Sequence, residues 1–134
     1  AALNTAFAQD GIAIHVTGKP SKPINLVYVH SDEASDAILH HVIRVESGAE
    51  ATILENGPAA ARFNKCMEID IADTGKLHLV RAQGRDHERR AATHLFARLG
   101  TEVEVVEFMD RILPTMDKDC GKELMRARGI EVRL

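Results

Sequence analysis

The chain has 134 residues, 45% apolar and 28% charged, the balance of one folded domain rather than of a disordered segment. Its apolar runs stop far short of the roughly 20 residues that a membrane-crossing helix needs, and the opening AALNTAFAQD reads as no secretion signal. A net charge of −3 with 4% aromatic residues offers neither a phosphate-binding face nor a base-stacking platform, which argues against nucleic acid as a partner.

From Gly11 to Arg81 the sequence reads as strands: GIAIHV, INLVYVH, HVIRV, ATILE, MEIDI and KLHLV, rich in β-branched residues and separated by turn signals. Alternation in Ile12, Ile14 and Val16, in Ile69 and Ile71, and in Leu77 and Leu79 predicts one inward face, with His15, Asp70 and His78 pointing away. Residues 42–53 (VIRVESGAEATI) align with residues 69–80 (IDIADTGKLHLV) at an offset of 27, each copy a strand ending in acid, hydroxyl and glycine and then restarting. A strand, tight turn, strand unit repeated at that spacing fits a solenoid, and equally an antiparallel sandwich with polar turns. If the units stack, the turns at Ser47-Gly48 and Thr74-Gly75 lie together, with Val45 and Ile71 inward.

Charge shifts along the chain. Residues 61–100 carry 8 basic and 5 acidic groups against 3 and 7 in residues 1–60, and the densest run, RAQGRDHERR at residues 81–90, reads as a solvated loop because Asp86 and Glu88 interrupt it. Beyond it the periodicity changes. Ala92, Leu95, Phe96 and Leu99 fall at helical spacing and Gly100 stands where a C-cap belongs, which predicts a helix over residues 91–99. VEVVEF (residues 103–108) then reads as strand, Asp117 or Asp119 as the cap of a helix running to about Ala127, and residues 130–134 as a last strand. Helix, strand, helix, strand is the order of an α/β unit with parallel strands.

Two stretches carry family resemblances. LNTAFAQDGIAIHV, KPINLVYV, HHVIRVESGAEATILE and MEIDIADTGKLHLVRAQ, spread over residues 3–100, resemble the SufB/SufD family of iron–sulfur cluster assembly scaffolds, and within it the SufD branch. That resemblance implies a right-handed parallel β-helix and a non-catalytic scaffold working with SufB-like and SufC-like proteins. RLGTEVEVVEFMDRILPTMDKD (residues 98–119) and the ending GIEVRL resemble the NAD-binding domain of dihydrolipoamide dehydrogenase, a flavoprotein disulfide reductase. ARLGTE, residues 97–102, suits both families and reads as a splice, so the expectation is a chimera; for HLFAR, residues 94–98, the first resemblance implies strand and the second helix, and the helical spacing favours helix. Its fold class is mainly β: a right-handed parallel β-helix (solenoid) fragment at residues 1–93, followed by a small β-α-β tail at residues 94–134.

Little catalytic chemistry follows. By the second resemblance Glu107 takes the place of the acid that binds the adenosine ribose of NAD. The glycine-rich phosphate loop belonging with it should lie about 20 residues earlier, where LVRAQGRDH holds only Gly84. Ser47 and Thr74 are explained as turn residues, so no nucleophile stands out and no enzyme is expected. Cys66 and Cys120 form neither a disulfide framework nor a CxxC pair, which suits a reducing cytoplasm. His40 and His41 are adjacent and would face opposite ways on a strand. A group of His78, His87, His94 and Cys66 lacks the short repeated spacing of a metal site, so neither metal nor cofactor is expected. The strand edges that a solenoid of about three coils leaves open predict self-association. The rival reading is a fragment of an NAD-linked flavoprotein disulfide reductase.

Overall fold

A computed structural model describes residues 2–29, 32, 34–57, 60–83, 90–100, 104–106 and 131–133. The chain divides into two compact units, residues 1–100 and 101–134. The expected helix at residues 117–127 and Glu107 lie outside the described residues.

The first unit opens with a short helix, α1 (Ala2–Phe7), followed by seven strands: β1 (Ala13–Val16), β2 (Ile24–Val27), β3 (Asp36–Val45), β4 (Glu50–Gly57), β5 (Arg62–Ile71), β6 (Lys76–Gln83) and β7 (Arg90–Leu99). Odd-numbered strands form one sheet in the order β1-β3-β5-β7, and even-numbered strands a second in the order β2-β4-β6. Every neighbouring pair is parallel. A parallel pair cannot be closed by a hairpin, so each return to a sheet runs through the opposite sheet. In the second unit β8 (Glu104–Val106) and β9 (Glu131–Arg133) also pair in parallel. Among the described residues no helix is long and apolar enough to cross a membrane.

The expected fold class needs correction. In place of a β-helix solenoid with a β-α-β tail, the described strands make two separate parallel sheets in an α/β-like arrangement, with the third, two-stranded sheet in the second unit. The repeat that suggested coils is real as sequence. It reflects strand–turn–strand units laid side by side, and its register is shifted by one residue from the sequence alignment. Val42 pairs with Glu68 and Ile43 with Ile69, an offset of 26. The turns carry the same offset: Ala49 N–H donates to Glu46 O and Gly75 N–H to Ala72 O, so Gly48 matches Thr74, not Gly75. Both matched residues have positive φ, 73° and 63°. A β-branched residue is costly there, and the turn compensates: Thr74 Oγ1 accepts from Gly48 N–H at 3.0 Å, while Ser47 Oγ donates to Asp73 O at 2.7 Å.

A second correction concerns residues 91–99, expected as helix. They form the last strand of the larger sheet, paired along its length with β5 from Arg62↔Arg90 to Ile71↔Leu99. An open ten-residue strand edge satisfies the backbone of whatever extended segment lies against it, and here that outweighs a helical stripe with little to bury. Leu95 and Phe96 remain about half exposed. The strand also runs across the expected boundary between residues 93 and 94.

The inner faces of the two sheets meet in an apolar core. Val16, Ile43, Val45, Met67, Ile69 and Ile71 come from the larger sheet and Leu26, Ala51 and Ile53 from the smaller, with Ile14, Leu77 and Leu79 packed at the margin. His15 and His78 face outward and are exposed as the alternation predicts, and Asp70, half-buried, also points outward, paired with Arg98. Ile12 departs from it and is exposed.

The observed register makes a test. Ile43→Ala, at a fully buried position, should cost about 2–5 kcal/mol in urea unfolding. Val42→Ala, one residue away on the outer face, should stay within roughly 0.5 kcal/mol. A register shifted by one residue would exchange the two results.

Candidate functional site

Period-two alternation sends residues 51, 53 and 55 of β4 and residues 63, 65 and 67 of β5 inward. Two of these six are charged: Glu55, 4% exposed, and Lys65, 1% exposed. They face each other across the interior and form a direct ion pair. Burying either charge without the other would be prohibitive, so the two sheets hold them as a unit.

Around the pair lies a hydrogen-bonded layer. Tyr28, just beyond β2, donates its hydroxyl to Glu55 Oε1 at 2.8 Å and stands 2.9 Å from His41 Nε2. On its other side His41 Nδ1 accepts from Ile12 N–H at 3.1 Å. That acceptor role fixes the tautomer: the imidazole proton sits on Nε2 and is donated to the Tyr28 oxygen. Arg81, on β6 in register with Glu55, brings Nε to 3.0 Å from Glu55 Oε2, although its alignment leaves that oxygen without a hydrogen bond. Tyr28 packs on His41 with ring centroids 5.8 Å apart and edge-on against Phe63 at 5.1 Å. Lys65 Nζ lies 5.8 Å from the centroid of the Tyr28 ring.

Burial governs the protonation states. Desolvation lowers His41 to about 4, with a smaller contribution from the Lys65 ammonium, so the ring is neutral at neutral pH. Desolvation raises the Tyr28 phenol to about 12, against the pull of Arg81. The Lys65 ammonium is pushed down to about 7 by burial and then by Arg81. The adjacent Glu55 carboxylate favours the charged form. Each of these side chains is thus engaged by a neighbour, an arrangement that binds the two sheets to each other.

A cavity of about 810 Å³ adjoins this layer, lined among others by Asp10, Ser35, Ile38, Phe63, Tyr28 and His41. The Ser35 hydroxyl is buried without a hydrogen-bond partner.

The residues singled out from sequence are distributed differently. His40 and His41 lie on opposite faces of β3: His41 inside, His40 outside with Nε2 3.0 Å from Glu68 Oε1. Cys66 pairs in register with His94 of β7 and with His40 of β3. His78 is on the other sheet, 3.9 Å from Glu50, away from that group. His87, Glu107 and Cys120 lie outside the described residues. Ser47 and Thr74 touch through their hydroxyls at 3.0 Å and serve the turns. The interior layer was missed because its members read individually as strand residues. The available signal was a charge at an inward position, Glu55 after Ala51 and Ile53, and Lys65 between Phe63 and Met67.

Residues 92–134 match a protein-family model described as pyridine nucleotide-disulphide oxidoreductase. No curated protein and no solved structure matches the chain significantly. The family match thus covers the stretch expected to resemble dihydrolipoamide dehydrogenase, and it begins inside β7, in the first compact unit.

The His41 geometry gives a pH prediction. Because its folded value, about 4, lies below the ordinary 6.5 or so, the unfolded chain binds the extra proton first as pH falls. Stability should be full above about pH 6.5 and decline toward pH 4, by on the order of 3 kcal/mol in total. Urea midpoints across that range should show the decline, and His41→Gln should flatten it. An unchanged slope in the variant would mean that His41 is charged in the fold.

Proposed function

We propose that the chain unites two functional pieces, a non-catalytic interaction scaffold in residues 1–100 and a segment of an NAD-linked flavoprotein disulfide reductase, of the dihydrolipoamide dehydrogenase kind, in residues 92–134. The observation that carries the second part is the family match over residues 92–134. The parallel pairing of β8 with β9 inside that match supports it, since parallel neighbours joined by a long connection are the building unit of nucleotide-binding sheets. In this reading Glu107 is the ribose-binding acid, and the missing glycine-rich loop leaves it without the backbone amides that hold a pyrophosphate.

For the first part the support is that the buried polar groups of residues 1–100 are engaged with one another and with Arg81 at the margin, Lys65 and Arg81 with Glu55, and Tyr28 with Glu55 and His41. What the unit offers outward is strand edge and half-exposed apolar surface, including Leu95 and Phe96 on edge strand β7. Such an edge suits a docking or self-association role. The resemblance to the SufB/SufD family makes SufB-like and SufC-like assembly proteins the partners, in a cytoplasmic setting, with no catalysis by this chain.

NAD itself separates a working nucleotide site from a remnant. Added at millimolar concentration to the whole chain, it should leave the thermal midpoint unchanged, because a ligand stabilises only as its concentration approaches its dissociation constant. A saturable upward shift, lost in Glu107→Ala, would overturn the non-catalytic reading and establish a nucleotide site in the second piece.

A further inference from the structure

The outer face of the larger sheet gathers three side chains that the interior layer does not use. β3 and β5 set His40 beside Cys66, and Glu68 follows Cys66 by two residues, hence on the same face. One nitrogen of His40, Cys66 Sγ and one Glu68 carboxylate oxygen all lie within 4.8 Å of one another, the His40 Nε2 to Glu68 Oε1 distance being 3.0 Å. The group is graded in depth. Cys66 is 1% exposed, the His40 side chain 17% and the Glu68 side chain 55%, which makes a sulfur floor with a carboxylate at the rim. Helix α1 is tied down close by: Asn4 Nδ2 donates to Asn64 Oδ1 at 3.0 Å, two residues before Cys66 on that face.

Neighbouring pairs show what sets this group apart. Asp36 with Arg62 and Asp70 with Arg98 are cross-strand ion pairs in which a guanidinium balances the carboxylate. His15 with Glu46, at 2.7 Å, is also a histidine–carboxylate pair, but there Arg44 Nε lies 3.1 Å from the same oxygen and supplies the charge. At His40 and Glu68 the third member is a thiol. Imidazole nitrogen, thiolate sulfur and carboxylate oxygen are the three donor types that zinc accepts, at roughly 2.0–2.3 Å each. Around a tetrahedral ion those lengths place donor atoms about 3.5 Å apart, so separations within 4.8 Å need to close by at most about 1.3 Å through side-chain adjustment.

We propose that His40, Cys66 and Glu68 form a binding site for a divalent metal ion of the zinc class. The fourth ligand is water or His94, which stands in register with Cys66 on β7. Binding forms a metal–sulfur bond at the expense of the S–H bond, and the thiol proton leaves to solvent. The site ties neighbouring strands together across the sheet's outer face, as the interior layer ties the two sheets.

Cobalt(II) is the probe. The reduced, metal-free whole chain is titrated with it, and a thiolate-to-cobalt absorption band saturating at one equivalent and displaced by zinc is expected. Cys66→Ala should abolish the band, and His40→Gln and Glu68→Gln should each weaken binding by more than about ten-fold, the lower end of what even an outer-shell change costs. His15→Gln should leave it unchanged. Absence of the band overturns the proposal. So does a band that survives Cys66→Ala and disappears in Cys120→Ala, since the sulfur would then be the wrong one. If circular dichroism shows that Cys66→Ala has lost its strands, the partly exposed His40→Gln decides: wild-type affinity in that variant rejects the site.

Discussion

The constraint on which everything else rests is the parallel register between β3 and β5, ten residues in step at an offset of 26. Because successive side chains alternate faces, this one number assigns every residue of both strands to the interior or the exterior. It sends Ile43, Val45, Met67 and Ile69 into the core and Lys65 and His41 into the polar layer. It sends His40, Cys66 and Glu68 outward. A slip by one residue would set Glu68 level with His41 and Asp70 level with Ile43, turning two carboxylates inward and exposing the apolar residues between them. The turns reinforce the register from one end. The left-handed conformation at Gly48 and at Thr74, bonded through Thr74 Oγ1, fixes where each strand stops, and the apolar residues follow.

The buried polar layer adds little to bulk stability. Desolvating Glu55 and Lys65 takes several kcal/mol per ion, which their attraction roughly offsets, so an apolar replacement of both would be near neutral while loss of either alone would cost about 3–5 kcal/mol. What the layer contributes is discrimination. Leu26, Glu55 and Arg81 stand at one level of the smaller sheet, and Lys65 meets Glu55 from the larger one. Any sliding of one sheet against the other would strand a charge in the interior. The apolar contacts alone, between similar aliphatic side chains, penalise such sliding far less.

The strands of the first unit were legible because β-branched alternation is a local property. Six segments read from sequence, from GIAIHV to KLHLV, correspond to β1 to β6, and the parallel pairing of the last two strands was legible from their order. Three things were not. The offset was misread by one residue because aligning Gly48 with Gly75 assumes that a glycine takes the left-handed position, whereas Thr74 takes it here. The spacing of Ala92, Leu95, Phe96 and Leu99 favours helix because a stripe is intrinsic to the segment, while the β5 edge that captures residues 91–99 is a tertiary feature. His40 and Glu68 are 28 residues apart, so their meeting depends on the same register and leaves no mark in local spacing.

β7 lies where the family match overlaps the first compact unit. The oxidoreductase-type family match begins at residue 92, and a helical stripe over residues 91–99 is what such a context would use ahead of a strand. In this chain the same residues lie beside β5, whose N–H and C=O groups along one edge would otherwise be left unpaired. Ten residues of ladder satisfy both backbones, whereas a helix there would have buried only a narrow stripe of Ala92, Leu95, Phe96 and Leu99 and left the β5 edge open. Propensity differences of a few tenths of a kcal/mol per residue are too small to reverse that choice. The strand therefore follows its neighbour rather than the helical spacing of its own side chains. That choice also brings His94 level with Cys66, beside the proposed metal site, where it and water are the two candidates for the fourth ligand.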